Sequence, residues 1–174
     1  MLITNPNNCQ IKRGLEVFRF VCCKCHSLIL FKSSDLKPLG YTNSQASTLI
    51  ETIKQLPSQT NRNLQINKIP PDLSLITKQT SPSFVYRLLT GYKTALNSRR
   101  LFFNKATPSN VTSMPPPLSY GLMKHLFKVP ITVCQYAKDV AMFLTWVAEP
   151  WKIDRLRLFL PTFILLASLT LPLL

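Results

Sequence analysis

Glycine is scarce in this chain, with four in 174 residues. That excludes a fold organised around glycine-rich phosphate-binding loops, a collagen repeat and a flexible linker array. Acidic residues are nearly as few: seven Asp and Glu stand against 21 Lys and Arg, a net charge of +14. Charged residues of both signs make up only 16% of the chain, below the roughly one quarter usual for soluble domains. Five cysteines, three of them packed into Cys22, Cys23 and Cys25, are too few and too clustered for a secreted disulfide scaffold. No apolar stretch of signal-peptide length opens the chain. Met1-Leu2-Ile3 gives way at once to Thr4-Asn5-Pro6-Asn7-Asn8, so no cleavable presequence is expected. There is no internal repeat.

What is abundant is apolar material, 46% of residues, which rules out a disordered basic tail. The length suits one domain with an appendage. Arg157 is the last charged residue, and the uncharged run after it reaches Leu174. As a helix it would cover roughly 25 Å, near the lower limit for a bilayer core. It has no polar face, and Pro161 and Pro172 lie near its ends, where a membrane helix tolerates them. A C-terminal membrane anchor over residues 151–174 is therefore expected, after a folded domain at 1–150. Lys152, Arg155 and Arg157 precede the anchor and no base follows it. The positive-inside tendency alone would place the domain in the cytoplasm or matrix.

Three segments carry helical patterns. Leu15, Phe18 and Val21 recur at helical spacing in Lys12–Cys22. Ser81-Pro82 reads as an N-cap with proline at the first helical position, followed by Phe84, Val85, Leu88 and Leu89 and stopped by Gly91. Thr132-Val133-Cys134-Gln135 is a capping-box pattern; Val133, Ala137, Val140, Leu144 and Val147 form one stripe after it, and Pro150 ends it. Pro57 to Pro71 and Pro108 to Pro117 read as proline-rich loops.

The chemistry sits at the end of the first helix, in Cys22-Cys23-Lys24-Cys25-His26. Cys-x-x-Cys-His is the attachment motif of c-type haem. Two thiols one helical turn apart can each bond a haem vinyl group, and the next residue then brings its imidazole to the iron. Zinc is the competing cofactor. It would need two further ligands, and Cys9, Cys23, Cys134 and His125 offer no second half-site spacing. An electron-transfer haem calls for a sixth ligand, and a soft thioether raises the potential. Met142 falls in the third helix, where packing is its expected role. Met114, in Ser113-Met114-Pro115-Pro116-Pro117, sits in a stiff loop with little freedom to lose. Met123 remains open as core or surface, and His125, between Lys124 and Lys128, is a rival ligand.

These residues resemble the cytochrome c1 family. Arg13-Gly14-Leu15-Glu16-Val17-Phe18 followed by the Cys22–His26 motif is similar to that family's haem-binding helix. Further blocks follow in the family's order: Pro70-Pro71-Asp72-Leu73-Ser74, Leu88-Leu89-Thr90-Gly91-Tyr92, Leu101-Phe102-Phe103-Asn104, Met114-Pro115-Pro116-Pro117-Leu118, Ala137-Lys138-Asp139-Val140 and Ala148-Glu149-Pro150 with its anchor. The resemblance implies a mainly α, cytochrome c-like haem domain with proline-rich loops and one C-terminal transmembrane helix. It implies one covalent haem c on Cys22 and Cys25, with His26 and Met114 as axial ligands and Pro70, Pro71, Ile76, Phe84, Leu88 and Leu89 as haem wall. It also implies the electron-transfer subunit of ubiquinol–cytochrome c reductase, not catalytic alone. That subunit takes electrons from the Rieske iron–sulfur protein and passes them to soluble cytochrome c, beside cytochrome b in a dimeric multisubunit complex. The implied location is the mitochondrial inner membrane facing the intermembrane space, or the periplasmic side of a bacterial plasma membrane. That side takes precedence over the positive-inside count.

The chain departs from the family in places. The loop between His26 and Pro70 is short. Where relatives carry an arginine for a haem propionate after Pro-Pro-Asp-Leu-Ser, only Lys78 is near. Relatives present acids to a basic cytochrome c, but here Glu16, Asp35, Glu51, Asp72, Asp139, Glu149 and Asp154 are scattered singly, so an acidic accessory subunit is the expected docking aid. Two other classes compete: a membrane-tethered monohaem cytochrome serving another respiratory enzyme, and a basic nucleic-acid-binding protein. The first would lack the later blocks; the second would have no use for an anchor.

Overall fold

A computed structural model describes residues 7–63, 70–96, 101–123, 130–150 and 152–170. Its elements run α1 (Asn8–Phe20), α2 (Asn43–Asn63), α3 (Ile76–Gln79), α4 (Pro82–Thr90), β1 (Tyr92–Leu96), β2 (Leu101–Asn104), β3 (Val111–Thr112), α5 (Val133–Ala148) and α6 (Lys152–Thr170). The fold is mainly helical.

The Asn7 side chain starts α1 by accepting the Gln10 N–H at 2.7 Å, four residues before the start expected from apolar spacing alone. The helix also stops earlier, at Phe20, because the chain tightens into a 3-10 turn over Cys22–Lys24. Ile11, Gly14, Leu15, Val17 and Phe18 form its buried stripe. That stripe meets α5 where Gly14 passes the Asp139 carbonyl and Phe143. A Cβ on Gly14 would strike that carbonyl oxygen and come within 2.5 Å of the Phe143 Cβ. Beside this crossing Arg13 grips Asp139 through two hydrogen bonds of 2.8 and 3.0 Å, and Gln135 Nε2 donates to the same carboxylate at 2.9 Å. Burial lowers the Arg13 pKa, but the Asp139 bond outweighs it and leaves it raised. Phe18, Phe31, Phe143 and Trp146 complete the junction, with ring centroids 5.7 to 5.9 Å apart for Phe18–Phe143, Phe31–Phe143 and Phe31–Trp146.

Two features were not expected. Residues 57–63, read above as loop, belong to α2. Thr42 and Gln45 form a reciprocal capping box, with the Thr42 N–H donating at 3.1 Å and its Oγ1 accepting at 3.3 Å. The stripe Ala46, Leu49, Ile50 and Ile53 is buried. A helix nucleated this well continues past Pro57, which removes one backbone bond. The second is a three-stranded antiparallel sheet in the order β1-β2-β3, pairing Tyr92 with Asn104 and Phe102 with Thr112.

Helix α6 includes Lys152, Asp154, Arg155 and Arg157 in its first six residues. Among the described residues, no helix is long and apolar enough to cross a membrane. Leu158, Phe159, Phe163, Ile164, Leu165 and Leu166 on α6 are each about 60% exposed.

Candidate functional site: an apolar cavity ringed by two thiols, an imidazole and a thioether

In the turn after α1, the Cys25 and His26 N–H groups both donate to the Cys22 carbonyl, at 3.0 and 2.8 Å. This brings Cys22, Cys25 and His26 to one cavity. Cys23 turns the other way. It is fully buried, and its Sγ donates to the Arg19 carbonyl at 2.6 Å. The middle thiol of the motif is thus part of the core and does not line the cavity. Burial, helped by the neighbouring thiols, pushes Cys22 up to about 12 and keeps it a neutral thiol. Cys9 and Cys134 are exposed.

The orientation of His26 comes from a segment far away in sequence. Its Nδ1 donates to the Pro71 carbonyl at 2.8 Å, which leaves Nε2 as the ring's lone-pair donor. Burial lowers its pKa, opposed by the Pro71 bond and by Asp72, so the ring is neutral, as a metal ligand must be. Residues 27–30 and 72–74 are stitched together around it. The Leu73 N–H donates to the Ser27 carbonyl, the Ser27 hydroxyl and the Ile29 N–H donate to Asp72, and the Leu30 N–H donates to the buried Ser74 hydroxyl. For Asp72, desolvation raises the pKa, but bonds from Ser74, Ser27 and Ile29 prevail and lower it.

The cavity has a volume of about 350 Å³. Its lining includes Cys22, Cys25, His26 and Met114, and all six residues expected as wall: Pro70, Pro71, Ile76, Phe84, Leu88 and Leu89. Helix α4 presents three of these because Ser81 caps it, accepting the Phe84 N–H at 3.0 Å, and Pro82 opens its first turn. Val140 and Leu144 of α5 close one side. Apart from His26, no described lining residue is ionisable other than the two thiols. Lys78 lies outside the lining and pairs with Glu149 at 3.2 Å.

The other sixth-ligand candidates separate cleanly. Met142 is buried in α5 and Met123 is buried with its N–H on the Tyr136 hydroxyl; neither lines the cavity. His125 lies outside the described residues. Met114 lines the cavity, with its N–H on Thr112 Oγ1 at 3.2 Å and its carbonyl accepting from the Tyr92 hydroxyl at 3.1 Å. Burial pushes Tyr92 up to about 12, so the hydroxyl keeps its proton. Among the described residues no group of three or more His, Cys, Asp or Glu is placed to hold a metal ion by itself. The donor set instead fits a c-type haem: two thiols for the vinyl groups, a neutral imidazole with Nε2 available, a thioether, and walls that exclude water. The sequence did not single out Thr112, and it placed Tyr92 and Asn104 only within longer blocks. The bonds from Tyr92 to Met114 and from Asn104 to Leu88 span 22 and 16 residues, which no local pattern shows.

The cytochrome C1 family matches residues 2–64 and 56–174. The chain is 28% identical over 180 residues to "Cytochrome c1 1, heme protein, mitochondrial" of Arabidopsis thaliana, covering 86% of this chain and 59% of that protein. It is 30% identical over 195 residues to "Cytochrome c1, heme protein, mitochondrial" of Saccharomyces cerevisiae, covering 94% and 63%. It is 28% identical over 195 residues to "Cytochrome b-c1 complex catalytic subunit, mitochondrial" of Candida albicans, covering 94% and 68%. The chain thus spans well under two thirds of the Arabidopsis relative's length.

Proposed function

The chain belongs to the cytochrome c1 family, and on that premise we propose that it is the haem c subunit of a ubiquinol–cytochrome c reductase. The observation that carries this is the gathering of Cys22, Cys25, His26 and Met114 around one apolar cavity. When bound, haem c supplies a one-electron couple. Cys22 and Cys25 would hold the group covalently, each through a thioether to one of its vinyl carbons. His26 Nε2 would be a donor to its iron, kept in that tautomer by the Pro71 carbonyl. Met114 Sδ would be a second donor, and its softness would favour the reduced state. Pro70, Pro71, Ile76, Phe84, Leu88 and Leu89 exclude water from the iron's surroundings and so raise the potential further.

In this reading electrons arrive from a Rieske iron–sulfur protein and leave to soluble cytochrome c. The chain sits beside cytochrome b in a dimeric multisubunit complex, and an acidic accessory subunit aids docking. Residues 1–150 form the haem domain, facing the intermembrane space of the mitochondrial inner membrane. Residues 151–174 hold it to the bilayer. The exposed apolar side chains of α6 support that anchor, since water is a poor solvent for so many together. The Candida relative's name supports the complex, and the mitochondrial names of the relatives support the compartment.

The test is covalency. Haem should travel with the wild-type chain through a denaturing gel and acid–acetone extraction. It should be retained weakly in Cys22→Ala or Cys25→Ala, and be lost from the double variant. Retention by the double variant sinks the proposal.

A further inference from the structure

Two strands of the small sheet, β1 and β3, meet at the segment around Met114. Tyr92 on β1 donates its hydroxyl to the Met114 carbonyl at 3.1 Å, and Thr112 on β3 accepts the Met114 N–H at 3.2 Å. Both backbone polar groups of this one residue are therefore held by side chains of the sheet. Between the two strands, β2 ends in Asn104, which pairs with Tyr92 in register and is fully buried. Asn104 Nδ2 donates to the Leu88 carbonyl at 2.7 Å and its Oδ1 accepts the Ala106 N–H at 2.9 Å. The sheet is thereby tied to α4, the helix that walls the cavity, and Pro115, Pro116 and Pro117 stiffen the chain on the far side of Met114.

We propose that Tyr92 and Thr112 are positioning residues that clamp the Met114 backbone and so hold its thioether at the iron. This rests on the reading of Met114 as the sixth ligand. The physical need is plain. A methionine has three rotatable side-chain bonds and is a weak, neutral donor, so its bond to iron competes poorly with stronger ligands unless its backbone is already fixed. Neither positioning residue touches the iron; each acts through Met114. Losing one hydrogen bond of ordinary strength should loosen the hold by about fivefold.

The measurement is imidazole binding to the haem-loaded full-length chain in the ferric state, read with the methionine–iron charge-transfer band in the red and with thermal unfolding as a check on folding. Tyr92→Phe and Thr112→Val should each raise imidazole affinity about fivefold and weaken the band. Thr112→Ser, which keeps the hydroxyl, should match wild type. Wild-type imidazole affinity in both Tyr92→Phe and Thr112→Val, with the band lost in Met114→Leu, overturns the clamp and leaves the ligand assignment standing. A band that survives Met114→Leu overturns that assignment, and the clamp with it.

Discussion

Asp72 accepts three hydrogen bonds, from the Ser27 hydroxyl and the Ile29 N–H on one oxygen and from the Ser74 N–H on the other. Together they lock the segment after His26 against the carbonyl that orients the imidazole. Because the folded pKa is lowered, this stabilisation is fully present above the unfolded value of about 3.9 and is lost as pH falls through the folded pKa. Asp72→Asn replaces one acceptor with a donor facing donors. It should cost about 1–3 kcal/mol at pH 6, a drop in Tm of several degrees for a chain of this size. The gap from wild type should narrow as the pH is taken below about 3.9; a gap constant down to pH 3 would show that the charge is irrelevant. At this scale the sequence was uneven evidence. Cys22, Cys25 and His26 could be read because their chemistry lies in five consecutive residues. Asp72 could be seen only as part of a block, since nothing local says that it meets Ser27, 45 residues away.

Helices α1 and α5 were legible for the reasons that make them helices. Thr132 caps α5 by accepting the Gln135 N–H at 3.2 Å, and the stripe through Val140 and Leu144 is buried. At the crossing of α1 and α5, the carbonyl of Asp139 leaves Gly14 no room for a methyl group. Gly14→Ala should therefore cost about 3 kcal/mol, at the upper end for overpacking, despite the better helix propensity of alanine. Thermal unfolding would then begin roughly 10 °C lower; a Tm within 2 °C of wild type would mean that the helices can slide apart freely. Helix α2 was not read from the sequence, although its capping box and apolar stripe are both there, and its last residues fall in the stretch from Pro57 that reads as loop. The strands were missed because they are two to five residues long. No periodicity can be read at that length, and their pairing is set by neighbours.

For the whole molecule the dominant quantity is charge. With 21 basic and seven acidic residues, the proposed docking to a basic cytochrome c should meet repulsion within a Debye length of about 8 Å. Reduction of such a partner by this chain alone should hold steady or speed up as salt is added. Within an assembly that contains an acidic subunit, the same rate should fall. Stopped-flow rates across ionic strength decide it, and a steep fall for the chain alone would mean that a local acidic patch outweighs the net charge. The crossing of α1 and α5 works at the same scale. Its Arg13–Asp139 bonds join residues 126 positions apart, and nearly everything that forms the cavity lies between them. The join closes a long loop, whose entropy cost the surrounding packing has to offset. Anything that parts this join would uncover the Val140 and Leu144 side of the cavity.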